Sequence, residues 1–271
     1  MTDAPKPVTI HELLQRKPKG ERIVMLTCYD ALFARLLDAS GVDILLVGDS
    51  VNQVLAGRDS TLSATLDQMI YHTSMVRRGA ERALVICDLP FLTYQVTTED
   101  ALRNAGRVMQ ATGCHGVKLE GGRPMAATVR ALVDIGIPVM GHLGLTPQSV
   151  HALGGYRVQG RDAAAAQRIK DDAKALEEAG AFAVVLELVP APLASDITKS
   201  LTIPTIGIGA GPACDGQVLV LHDMLGLNDR FSAKFVKKYA ALAEDVRDAV
   251  RRFGDEVREG RYPDAAHSFP K

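Results

Sequence analysis

What the sequence lacks narrows the field first. Its four cysteines, Cys28, Cys87, Cys114 and Cys214, are widely spaced and form no CxxC pair. That argues against a zinc cluster and a disulfide framework and points to a reduced, cytoplasmic setting. No apolar run exceeds strand length, so no segment is expected to span a membrane. The opening stretch "MTDAPKPVTIHELLQRKPKG" has no apolar core of signal-peptide type. Basic and acidic residues are nearly balanced and interleaved, with a formal net charge of −1. No basic patch therefore argues for nucleic acid, and no charge block argues for a tail. No low-complexity tract or Ser/Gly linker marks a domain boundary. What remains is a chain of 271 residues, 47% hydrophobic and 23% charged. That is globular composition with ample length for one large core.

Strand-like runs rich in Val, Ile and Leu, bounded by Gly or Pro, recur along the chain. They are "RIVMLTCYD" (22–30), "VDILLVGDS" (42–50), "RALVICDLPF" (82–91), "HGVKLEGG" (115–122), "IPVMGHLG" (137–144), "AFAVVLELV" (181–189), "IPTIGIGAG" (203–211) and "GQVLVLHDM" (216–224). Most are separated by helical patterns such as "TEDALRNAGRVMQATG", each followed by a glycine suited to a C-cap. Near-continuous apolar strands alternating with helices predict a parallel sheet buried on both faces. Eight such units predict a (β/α)8 barrel. The seventh unit is irregular, because too few residues part its two strands for a regular crossover helix. A doubly wound open sheet is the alternative. A short N-terminal helix is expected from Thr9 and Glu12 at capping-box spacing. A long amphipathic helix is expected over 233–258, so the whole span 1–271 reads as one barrel domain with helical extensions at both ends.

The polar residues within these runs fall late: Tyr29 and Asp30, Asp49 and Ser50, Asp88, Lys118 and Glu120, His142, Glu187, then His222 and Asp223. In a barrel the C-terminal strand ends share one mouth, where active sites sit. Lys118 and Glu120, two apart on one strand, face the same side. Some of these residues have simpler explanations. Asp30 in "CYDALFARLL" reads as a helix N-cap, and Asp223 as structural. Cys87 lacks an evident base, and "GIGAG" reads as a tight turn rather than a phosphate loop. His142 reads equally as a core histidine or a site residue. Asp49 and Asp88 each follow an unbroken apolar run, and Glu120 and Glu187 are poor caps, so these four read as functional. Within "LVGDSV", Gly48 would let the backbone turn so that Asp49 emerges at the mouth.

Asp49, Asp88 and Glu120 supply hard oxygen donors without sulfur, which suits Mg²⁺. Such an ion would chelate a 2-oxo acid and stabilise its enolate, with Lys118 neutralising further charge. Glu187 is a candidate general base for the proton beside the carbonyl. The expected chemistry is metal-assisted enolisation followed by attack on an electrophile that the residues do not name.

The motifs "LVGDSV", "DLPF", "VKLEGG", "PVMGHLGLTPQS", "GGYRVQGR", "LELVP", "IPTIGIGAG" and "DGQVLVLHDMLG", in this order, resemble those of the ketopantoate hydroxymethyltransferase family over about residues 8–260. The resemblance implies a (β/α)8 barrel akin to the phosphoenolpyruvate/pyruvate superfamily. It implies transfer of a hydroxymethyl unit from 5,10-methylenetetrahydrofolate to 3-methyl-2-oxobutanoate, giving 2-dehydropantoate on the route to pantothenate and coenzyme A. It places Mg²⁺ on Asp49, Asp88 and, often through water, Glu120. It places the oxo acid on Asp49, Ser50, Asp88 and Lys118 with His142 nearby, and the proton acceptor on Glu187. It also implies a homo-oligomer, typically a decamer.

Three other readings stay open from the residues. A lyase or mutase of the same superfamily would carry a cysteine in a catalytic lid loop, which is not seen here. A Schiff-base aldolase would use Lys118 as nucleophile. A binding protein would not require a candidate base.

Overall fold

The computed structural model describes residues 6–270. The outermost residues of the 1–271 span, 1–5 and 271, lie outside the described residues. Two compact units are present, Met1–Val220 and Leu221–Lys271.

In the first unit, eight strands form a closed barrel in sequence order. They are β1 (Ile23–Thr27), β2 (Ile44–Val47), β3 (Leu84–Asp88), β4 (Gly116–Glu120), β5 (Val139–Gly144), β6 (Ala183–Glu187), β7 (Thr205–Ile208) and β8 (Gly216–Leu219). All neighbours are parallel, and β8 closes on β1 with Val24 opposite Gln217. Closure sets the open-sheet alternative aside. The helices of this unit are α1 (Ile10–Lys19), α2 (Ala31–Ala39), α3 (Val51–Val54), α4 (Leu66–Gly79), α5 (Thr98–Thr112), α6 (Ala126–Asp134), α7 (Ala163–Glu178) and α8 (Ala191–Ser200). β2, β3 and β4 are buried along their whole length, as the unbroken apolar runs require.

The irregular seventh unit resolves without a helix. Residues 209–215 form turns and bends, and β7 and β8 still pair in parallel. A loop of that length reaches at most about 25 Å, enough to run back along a strand of about 13 Å. Val24 on the outer face of β1 is 49% exposed.

Helix starts follow their cap residues. Asp30 accepts the Phe33 amide at the start of α2, as the cap reading expected. At α1 only half of the capping box forms. Thr9 accepts the Glu12 amide, but the Glu12 carboxylate turns to Arg16 at 3.1 Å. Arg16 also reaches Asp43 at 2.9 Å, and Lys17 reaches Asp215 at 2.8 Å. Both acids precede strands, so α1 is clamped across the N-terminal end of the barrel. All four cysteines are buried and unpaired.

The second unit corrects two expectations. The run 216–224 is not one strand, because β8 stops at Leu219 and a helical turn, α9 (Leu221–Met224), follows. His222 and Asp223 are therefore helical, and Asp223 accepts a hydrogen bond from Asn228 at 2.9 Å. The last helix, α10, spans Leu242–Arg258 rather than 233–258. Upstream, the amides of Tyr239 and Leu242 bond to the carbonyls of Met224 and Leu225 instead of continuing a helical ladder. Among the described residues no helix is long and apolar enough to cross a membrane.

Candidate active site

Strand register brings the late polar residues together. Asp88 on β3 lies opposite Lys118 on β4, Glu120 opposite His142 on β5, and Gly144 opposite Glu187 on β6. Gly144 has φ +90°, and a Cβ there would stand 2.2 Å from the Glu187 carbonyl oxygen. Only glycine lets β5 approach β6 so closely beside the candidate base. Leu188, the next residue, is held at φ 45° with its amide on Ile208 and its carbonyl on Gln159. That strained backbone fixes where β6 ends and Glu187 projects.

β2 ends two residues before Asp49, so the acid belongs to the turn into α3 rather than to the strand. Val47 is fully buried. Gly48 is required for space, not for a left-handed turn. A Cβ there would come within 2.8 Å of Ser50 Oγ and 3.4 Å of Asp88 Oδ2. The tight turn lets the Asp49 amide donate to Asp88 Oδ2 at 3.1 Å. Ser50 Oγ shares a hydrogen bond with Tyr29 OH at 2.8 Å.

From there the contacts run unbroken. Lys118 Nζ lies 2.6 Å from Asp88 Oδ1 and 3.3 Å from His142 Nδ1. His142 Nδ1 faces Glu120 Oε1 at 3.5 Å, and its Nε2 faces Glu187 Oε2 at 3.1 Å. Asp49, Asp88, Lys118, Glu120 and His142 are all buried. The site thus gathers Asp49, Ser50, Asp88, Lys118, Glu120, His142 and Glu187, while His222 and Asp223 belong to the other unit.

The electrostatics follow from burying several acids together. Burial first, then repulsion from Asp88 and Glu120, pushes the Asp49 carboxyl up to about 8. For Lys118, burial opposes the charge, but Asp88, Glu120 and Asp49 outweigh it and raise the ammonium to about 12. For His142, burial and Lys118 oppose protonation, yet Glu120 and Glu187 raise it to about 9. The imidazole lies between two carboxylates, with the Lys118 ammonium also beside its Nδ1.

Among the described residues, no three His, Cys, Asp or Glu side chains close on one point as a metal cluster. Mg²⁺ does not need one, since it is commonly held by one or two carboxylates with water and substrate oxygens. Asp49 and Asp88 fit that donor chemistry, and Asp49, raised by burial and then by Asp88 and Glu120, lies where a cation would favour its ionised form. Glu120 is engaged elsewhere, accepting the Gln148 amide at 3.0 Å while it faces His142. Asp88 is engaged as well, its Oδ1 by Lys118 at 2.6 Å and its Oδ2 by the Asp49 amide at 3.1 Å.

Sequence reading missed two residues bonded to these groups and a tyrosine near them. Gln148, buried in the 3₁₀ turn Pro147–Ser149 after β5, bonds to Asp49, Glu120 and Leu89. Tyr94 bonds to Gln148 and to the backbone of Glu120. Tyr156, half-exposed on the β5–α7 loop, accepts from Gln53 at 3.1 Å. Burial raises its phenol, and the nearby charges of Glu187, Asp49 and Glu120 raise it further. Uncharged loop residues look alike in sequence; only their burial and partners set these apart.

The barrel with its working groups at the C-terminal strand ends defines a (β/α)8 enzyme. Solved structures of that fold align along nearly the whole chain. A 2,3-dimethylmalate lyase of the PEP mutase/isocitrate lyase superfamily matches with a TM-score of 0.61, covering 98% of this chain and 93% of its own at 18% identity. A phosphonopyruvate hydrolase solved with oxalate and Mg²⁺ matches at 0.62, covering 97% and 92% at 14% identity. More specifically, the chain belongs to the ketopantoate hydroxymethyltransferase family, whose model matches residues 7–265. The 3-methyl-2-oxobutanoate hydroxymethyltransferase of Syntrophus aciditrophicus is 58% identical, covering 97% of this chain and 96% of its own. That of Pelobacter propionicus is 55% identical over 99% and 100%. The protein is thus an enzyme of the hydroxymethyl-transferring class.

Proposed function

We propose that this enzyme transfers a hydroxymethyl unit from 5,10-methylenetetrahydrofolate to 3-methyl-2-oxobutanoate, forming 2-dehydropantoate for pantothenate and coenzyme A synthesis. The observation that carries this reading is the run of contacts from Asp49 through Asp88, Lys118 and His142 to Glu187. It sets charge-stabilising groups beside a candidate base at one barrel mouth. Asp49 and Asp88 would hold Mg²⁺, with Glu120 reaching it through water. When bound, the ion would supply Lewis-acid polarisation of the oxo acid's carboxylate and keto oxygens.

Lys118 sets a fixed positive charge beside the oxygen on which negative charge develops. Ser50, oriented by Tyr29, donates to the oxo acid. Glu187 takes the C3 proton, and His142 Nε2 at 3.1 Å holds that carboxylate in place. Water adds to the folate-borne methylene carbon as both of its C–N bonds break, releasing tetrahydrofolate and formaldehyde. C3 bonds to the formaldehyde carbon, and the alkoxide so formed takes up the proton lost from C3, giving the hydroxymethyl group.

Lys118 is unsuited to a Schiff base, since an ammonium raised to about 12 and paired with Asp88 has little free amine. We also place the protein in the cytoplasm as a homo-oligomer, a decamer on the family pattern. Val246, Val250, Phe253 and Val257 form an exposed apolar stripe on α10 that supports self-association. The decisive experiment follows C3–H exchange into deuterium oxide on 3-methyl-2-oxobutanoate, with and without Mg²⁺ and the folate. Mg²⁺-dependent exchange is expected; metal-independent exchange, or none with metal and folate present, would refute the proposal.

A further inference from the structure

Gln148 sits where the site meets its support. Its Nε2 donates to Asp49 Oδ2 at 2.9 Å and to the Leu89 carbonyl at 3.0 Å. Its Oε1 accepts from Tyr94 OH at 2.7 Å and from Gln95 Nε2 at 3.0 Å. Its backbone amide donates to Glu120 Oε2 at 3.0 Å. The amide orientation is not interchangeable. A backbone carbonyl only accepts, so the edge facing Leu89 and Asp49 must be the NH₂ edge. A directed chain results: the Glu120 amide donates to Tyr94 OH at 3.0 Å, Tyr94 donates to Gln148, and Gln148 donates to Asp49. Each donor polarises the next in such a chain.

We propose that Gln148 is a positioning residue for metal binding, its side-chain amide holding one Asp49 oxygen so that the other is left for the cation. The inference rests on the Mg²⁺ reading above and adds a residue to it. Groups that bond to metal ligands set ligand orientation, and losing one typically weakens metal affinity by about 10- to 100-fold.

The test is titration of the full-length protein with Mn²⁺ alone, read by electron paramagnetic resonance, with circular dichroism and thermal unfolding as folding controls. Gln148→Met keeps the length and removes both donors; it is expected to bind Mn²⁺ about 10- to 100-fold more weakly while staying folded. Tyr94→Phe keeps the Gln148 donors but releases their anchor, and is expected to weaken binding a few-fold. A merely structural role would lower thermal stability and leave Mn²⁺ affinity within roughly twofold of wild type, and that result overturns the inference. If Gln148→Met does not fold, Tyr94→Phe decides, and wild-type affinity in it overturns the inference equally. A wild-type protein that binds no Mn²⁺ refutes the metal reading itself and this inference with it. Normal wild-type binding with unaffected variants refutes this inference alone.

Discussion

Lys118→Met is the perturbation that asks most of the site. Lys118 Nζ lies 2.6 Å from Asp88 Oδ1, with both groups buried. The rise of the ammonium from its ordinary 10.5 to about 12 means that the surrounding carboxylates favour the charged form by about 2 kcal/mol, net of burial. Because the folded value lies above the unfolded one, that contribution is fully present below pH 10.5 and fades only as pH rises through about 12. Methionine removes it and also leaves Asp88 without its counter-charge, so the expected loss at pH 7 is about 3–5 kcal/mol. Urea denaturation measures it. The catalytic effect is separate. Removing one fixed stabilising group from such a site costs about 10²–10³ in rate, so C3–H exchange by the folded variant should fall by that factor. A change in stability below about 1 kcal/mol with exchange retained would refute the reasoning. The same protonation bears on the aldolase alternative. Asp88, Glu120 and Asp49 favour the ammonium over the nucleophilic amine, so borohydride with the oxo acid should trap no adduct. A covalent adduct on Lys118 would overturn the charge-stabilising role.

Three further outcomes are expected. Glu187→Gln should still bind 3-methyl-2-oxobutanoate, measured calorimetrically, but lose about 10²–10⁴ in C3 deuterium exchange; undiminished exchange would move the base elsewhere. Asp38→Ala removes the acceptor of the Glu81, Arg82 and Ala83 amides, at 3.0, 3.0 and 2.6 Å. It should cost about 2–4 kcal/mol in urea denaturation while the folded enzyme keeps its kcat; a loss under about 0.5 kcal/mol would show these bonds to be dispensable. His115, lowered to about 4 by burial and then by Arg77, accepts the Val85 amide at Nδ1. A folded value below the unfolded one gives stability that is present above pH 6.5 and lost as pH falls toward 4. His115→Asn keeps the acceptor without the titration. Wild type should therefore lose about 2 kcal/mol more than the variant between pH 7 and 4, after allowance for partial exposure; a pH-independent difference would contradict this.

The barrel was legible in sequence because eight short apolar runs alternate with helices; the runs alone suit a doubly wound sheet equally, and their number points to the barrel. Strand ends were less legible, for a local reason each time. "VDILLVGDS" reads as one run, yet pairing stops at Val47 because the Asp49 amide turns to the Asp88 carboxylate instead of a neighbouring strand. "GQVLVLHDM" likewise hides the change from β8 to α9, since Leu, His and Met suit either state. Charged site residues stood out because a buried Lys or Glu demands explanation. Gln148 did not, because a loop glutamine is unremarkable until its five hydrogen bonds are seen.

The two ends of the barrel treat the same side chain in opposite ways. At the N-terminal end, Asp43 accepts the Val24 amide and pairs with Arg16 and Arg82. Asp215 accepts from Lys17 and from the amide and hydroxyl of Thr205. These acids are met by cations and amides that fasten α1 and the strand starts, and their removal should matter for folding. At the C-terminal end, Asp49, Asp88, Glu120 and Glu187 share Lys118 and His142, and Asp49 is driven up to about 8. A protein selected for stability alone would not crowd carboxylates so closely, because each raises the cost of ionising the next. On the Mg²⁺ proposal, the bound cation would offset that crowding. The crowded end, rather than the well-paired one, is therefore the one that supports the proposed site.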